Sequence, residues 1–78
     1  MITIEDFIKH LESKGYKLVN SNYLACTLNS ATRRTIWFHQ EAQELNIFDE
    51  ISATNLDFFY DGKIESLEQF DLIDRLTS

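Results

Sequence analysis

Ten carboxylates fall between residues 41 and 78, and their spacing is the first feature of this sequence with chemical meaning. Glu68, Asp71 and Asp74 recur at every third residue, so on a helix they form one ridge, with Glu65 just ahead of it. Asp57 and Asp61 flank the aromatic run Phe58-Phe59-Tyr60, while Glu41, Glu44, Asp49 and Glu50 surround a short apolar segment. Carboxylates set along a ridge imitate a phosphate row, and they steer association with a basic protein groove at long range. Phe59 and its neighbours would anchor such a contact, because aromatic side chains dominate interface energetics. The expected partner-binding set is therefore Asp57, Phe59, Asp61, Glu65, Glu68, Asp71 and Asp74. The plain alternative is a solvated face that keeps the chain soluble.

Other chemistry finds too few residues. Phosphate-binding loops need several glycines, and this chain has two, Gly15 and Gly62, both placed where a helix end and a turn are expected. A zinc site takes about three or four Cys and His ligands, whereas Cys26, His10 and His39 are the whole supply. His39-Gln40-Glu41 matches the H-x-E of zinc deaminases, but the P-C-x-x-C that completes that site is missing. Asp57 and Asp61 lack the ligand spacing of a calcium loop. Cys26 shares a strand face with Leu24 and Leu28 and reads as a small buried hydrophobe, with His39 on the opposite face. No cofactor, metal or catalytic residue is expected.

The first half of the chain carries the opposite sign. Residues 1–40 hold five bases (Lys9, Lys14, Lys17, Arg33, Arg34) and three acids (Glu5, Asp6, Glu12), net +2; residues 41–78 hold two bases and ten acids, net −8; the sum is −6. With His10, those bases form an alternative patch, beside which Trp37 and Tyr23 would stack on RNA. The helix-then-meander outline of residues 4–38 resembles that of small RNA-cleaving HicA-type toxins, whose catalytic histidine belongs in the second strand. Asn22-Tyr23-Leu24-Ala25-Cys26 stands there instead, so the resemblance implies an outline without its catalytic residue. Because the net charge repels nucleic acid, no direct nucleic-acid partner is expected, and a small RNA-binding or RNA-cleaving protein is the second reading. A third is an oligomer in which the +2 and −8 halves of neighbouring copies meet.

Seventy-eight residues make one domain, 1–78, with 44% hydrophobic and 26% charged residues, the balance of an ordered globular chain. No apolar run approaches the roughly 18–20 residues of a membrane-spanning helix, and Met1 to Asp6 does not read as a secretory signal. A single cysteine fits a reducing cytoplasm.

The elements that must position these groups follow from period and punctuation. Thr3 caps a helix over 4–14, where Ile4, Phe7, Ile8 and Leu11 form one stripe and Gly15 ends it. Strands are expected at 16–19, 23–28 and 33–39. In the third, Arg34, Ile36 and Phe38 oppose Arg33, Thr35, Trp37 and His39. Residues 40–44 read as a polar break, 45–48 as a further strand, and 49–55 as a loop or one irregular helical turn. A strand at 56–60 would be apolar on both faces, with about two of its three aromatics buried, before an Asp61-Gly62 type I′ turn. Ser66 and Gln69 form a capping box ahead of Leu67, Phe70, Ile73 and Leu76. The predicted fold is α+β: an N-terminal helix, an antiparallel β-meander of three to five strands, and a C-terminal helix, with the helices packed on the sheet. In size, charge and architecture this resembles inhibitors carried by phages and mobile elements, the anti-restriction and anti-CRISPR proteins, and implies a non-catalytic regulatory protein.

Overall fold

In the computed structural model residues 1–77 are described. Helix α1 spans Ile4–Glu12, with the Thr3 hydroxyl accepting the Asp6 N–H at 3.2 Å. Its end is closed by Tyr16 N–H to Leu11 O at 3.1 Å and Gly15 N–H to Glu12 O at 3.2 Å. That nested pair needs one left-handed residue, supplied by Gly15 at φ +94°. The helix stops two residues short of the expected 14 because Ser13 and Lys14 belong to this closing turn.

Five strands follow: β1 (Lys17–Ser21), β2 (Ala25–Asn29), β3 (Arg34–His39), β4 (Glu44–Ser52) and β5 (Asn55–Lys63). They form one sheet in sequence order, each antiparallel to the next. Helix α2 spans Leu67–Leu76, and the whole is the α+β architecture expected. Its N-cap Ser66 accepts from Gln69 N–H at 3.1 Å, while Gln69 reaches back past the cap to the Glu65 N–H at 2.7 Å.

Alternation along the strands sends one side chain in two towards the helices. Cys26 and Leu28, Ile36 and Phe38, and Leu45 and Ile47 meet Phe7 and Leu11 of α1 and Phe70 of α2, all fully buried. Phe7 stacks on Phe38 at 4.5 Å between ring centres and meets Phe70 edge-on at 5.6 Å. Leu76, expected on the buried stripe of α2, is 74% exposed, one turn beyond where the core ends. The other side of the sheet has no helix on it and carries Thr27, Trp37, Asn46, Phe48 and Phe58.

The region 49–65 departs most from expectation. β4 continues to Ser52 where a loop or helical turn was predicted, and the chain reverses at Ala53-Thr54. Asp61 and Gly62 form no turn; they lie inside β5, paired with Asn46 and Leu45. Tyr60 folds back beside Gly62 to donate its hydroxyl to Lys63 O, and a side-chain carbon at 62 would meet that hydroxyl at 3.4 Å, an ordinary contact. Between Tyr60 (opposite Ile47) and Phe58 (opposite Phe48) the register skips Phe59, a bulge. Phe59 and Tyr60 both pack against the core, half-buried, while Phe58 is 57% exposed. The start of β2 also moves. Asn22 Oδ1 accepts from the N–H groups of Leu24 and Ala25, so Tyr23, expected in a strand, sits in a turn and is 84% exposed.

Candidate functional site

The carboxylates expected to act together divide into two groups. Asp71 and Asp74 face inward from α2. Asp71 Oδ1 lies 2.7 Å from His10 Nε2 and 3.4 Å from Lys14 Nζ, tying α2 to α1. Asp74 Oδ1 accepts from the Tyr16 hydroxyl at 2.9 Å and from Arg34 Nη1 at 3.0 Å. Glu68 and Glu65 are exposed at the start of α2, and Asp61 is exposed on the helix-free side of β5. Asp57 is exposed near the β4–β5 turn, opposite Asp49. Phe59 lies beneath the Arg34 guanidinium, 4.6 Å from its ring centre.

Arg34 organises the inward group. Only 8% exposed on β3, it donates from Nε to Asp49 at 3.2 Å and from Nη1 to Asp74 and to Thr77 Oγ1 at 2.9 Å. Nη2 donates to Thr77 O at 2.7 Å, so one planar fork closes the C-terminal end of α2, where backbone carbonyls lack helical partners. Burial pulls its pKa down, but the hydrogen bonds and charges of Asp74 and Asp49 outweigh it and hold the guanidinium above its ordinary value. Among the described residues no buried side-chain nitrogen or oxygen lacks a partner.

Two acids are held neutral. Burial pushes the Cys26 thiol up to about 11, which removes thiolate chemistry near neutral pH. Burial, then the hydrogen bond and charge of Asp74, raise the Tyr16 hydroxyl well above its ordinary 10.0. Above ordinary values of 9.0 and 10.0 the unfolded chain sheds these protons while the folded chain keeps them. Stability is therefore full below about pH 9 and declines as pH rises, by at most ~1.4 kcal/mol per pH unit per group. Urea midpoints measured from neutral pH to about pH 11 should show this decline, and Tyr16→Phe should flatten it above about pH 10 while removing about 1 kcal/mol at neutral pH. An unchanged slope in that variant would assign the alkaline loss elsewhere.

The basic set is also divided. Arg34 is buried, His10 and Lys14 face Asp71, and Lys9, Lys17 and Arg33 are exposed on separate elements. Trp37 is half-buried on the helix-free side of the sheet, and Tyr23 lies at the far end of the molecule from Arg33.

What the fold gathers instead is an acidic end. The β3–β4 turn is stitched to the N-terminal segment by Ile2 N–H to Gln43 Oε1 at 2.9 Å and Ile4 N–H to Gln40 Oε1 at 2.7 Å. Ile64 N–H donates to Gln43 O at 2.8 Å, bringing the approach to α2 against the same turn. Glu5, Asp6, Glu41, Glu65 and Glu68 are thus presented at one end, all exposed, where both helices begin. Two basic side chains lie beside them: Lys63, with Nζ 2.8 Å from Ala42 O and 3.4 Å from Glu44, and Lys9, which lines a cleft with Asp6 and Leu67. No three His, Cys, Asp or Glu side chains among the described residues gather closely enough to hold a metal ion, so this charge is spread across a surface. From sequence, Glu5 and Asp6 read as acids of the basic first half, and Glu41 as one of four carboxylates around a short apolar segment. Their proximity to Glu65 depends on two glutamine side chains that no periodicity reveals. Compared with protein-family models, with curated proteins and with solved structures, the chain finds no match in any of the three.

Proposed function

We propose that this chain is a non-catalytic interaction protein whose acidic end binds a basic protein surface, in the manner of a nucleic-acid-mimicking inhibitor. The observation that supports it is the convergence of Glu5, Asp6, Glu41, Glu65 and Glu68 from three separate segments onto one exposed end. Exposed Tyr23, across a cleft from Glu5 and Gln40, supplies an aromatic contact at its margin. Like charges held together raise the molecule's self-energy, while a basic partner turns the same field into long-range attraction. Asp71 contributes indirectly by fixing α2 against α1, and Asp74 by fixing α2 to Tyr16 and to β3.

Glu5, Asp6 and Glu68 have a second role, since acids in a first turn stabilise the helix dipole. Glu41 and Glu65 lie outside the helices, so they separate binding from folding. In a pull-down from a lysate of the source cells, the wild type should capture a basic protein that elutes as salt rises. Glu41→Gln with Glu65→Gln should weaken that capture roughly twofold to thirtyfold, at about 0.2–1 kcal/mol per exposed charge, and leave the thermal midpoint unchanged. Capture indifferent to salt and to this variant would refute the reading.

A further inference from the structure

The helix-free side of the sheet differs from the rest of this −6 molecule because its charges cancel. Lys63 is paired with Glu44 at 3.4 Å and Arg33 shares a cleft with Glu50 at the end of β3, leaving Lys17 on outer strand β1 against Asp61 on outer strand β5. Between them runs an aromatic band. Trp37 lies near the middle of β3, the central strand, and Phe48 packs on Phe58 at 5.2 Å, with Phe58 57% and Leu56 45% exposed.

We propose that this face is the interface of a symmetric dimer, with a second copy of this chain as its occupant. A two-fold axis along β3 sets Trp37 against Trp37 of the second copy. It also lays β1 of each copy over β5 of the other, bringing Lys17 to the side that holds Phe58 and Asp61. Because the axis exchanges β1 and β5, Lys17 on one outer strand and Asp61 on the other make the face self-complementary, whereas the acidic end would repel its own copy. Five strands at about 4.8 Å spacing and roughly six residues of about 3.3 Å give some 500 Å² in projection per copy. That is the low end for a specific interface, so the expected affinity is micromolar. The inference stands apart from the acidic end and does not depend on its partner.

Sedimentation equilibrium on the full chain from about 1 µM to about 1 mM tests it. The mass should climb from 9.2 kDa towards twice that value with concentration. Phe58→Glu should raise the dissociation constant roughly tenfold or more with an unchanged circular dichroism spectrum. Lys17→Asp should weaken the dimer, and adding Asp61→Lys should restore it, because each copy supplies both charges. A mass fixed at 9.2 kDa throughout overturns the proposal. So does a dimer indifferent to Phe58→Glu, or one broken only by Glu41→Gln with Glu65→Gln. A monomer whose Trp37 fluorescence is quenched by a short arginine-rich peptide would assign the face to a basic segment instead.

Discussion

Arg34→Ala is expected to remove about 3–5 kcal/mol of stability, the usual loss when one partner of a buried ionic network is deleted. The geometry explains the size. The substitution leaves Asp49 and Asp74 half-buried with their shared cation gone, frees Thr77 O, and strips the cover from Phe59. For a chain of this length, total stability is about 4–12 kcal/mol, so the variant stands near the edge of folding. Its thermal midpoint should fall by roughly 12–40 °C at about 4–8 °C per kcal/mol. Arg34→Lys should lie between, since an ammonium keeps the charge but cannot reach Asp49, Asp74 and Thr77 together. A midpoint within about 5 °C of wild type for Arg34→Ala would show that these hydrogen bonds merely exchange with water.

Phe7→Ala should be comparably damaging, by about 3–5 kcal/mol, through a cavity rather than a charge. Phe7 is fully buried where α1, β3 and α2 meet, stacked on Phe38 and edge-on to Phe70. Removing its ring deprives both neighbours of contact at once, and the surrounding strands are too regular to collapse into the gap. Urea unfolding should show the loss as a lowered midpoint with a similar slope. Phe58→Ala, on the exposed side of the sheet, should stay within about 0.5 kcal/mol. Equal losses for the two would place the core elsewhere.

The outline of this molecule is written in short-range signals. Thr3 and Gly15 bracket α1, Ser66 and Gln69 open α2, and strict alternation through Ile36 and Phe38 gives β3 its two faces. Those signals act over three or four residues and survive any tertiary context. Asp61-Gly62 misleads for the opposite reason: the pair favours a tight turn in isolation, and continued pairing with Asn46 and Leu45 of β4 overrides that preference. The stretch after Asp49 conceals a strand because residues 50–58 are all exposed in a hairpin, where burial imposes no pattern. For the candidate site the sequence is nearly silent. The ridge of Glu68, Asp71 and Asp74 is real as helical spacing. Its division is decided by His10, Tyr16 and Arg34, which lie 61, 58 and 40 residues from the carboxylates they bond.

The irregular pairings of this sheet all fall in its two outer hairpins. β2–β3 and β3–β4 run in unbroken register, while Val19 in β1, Phe59 in β5 and Ile51 in β4 each interrupt theirs. A sheet in strand order one to five has two open margins, and each offers unpaired amides and carbonyls to any extended chain. Bulges on β1 and β5 twist those margins out of line, and Lys17, Asp57 and Asp61 add charge to them, so neither is a straight template for strand addition. Growth by lateral accretion, the route to fibrils, is thereby discouraged at both margins. The two-fold stacking proposed for the open face would close on itself after two copies and leave that face with no new surface to extend.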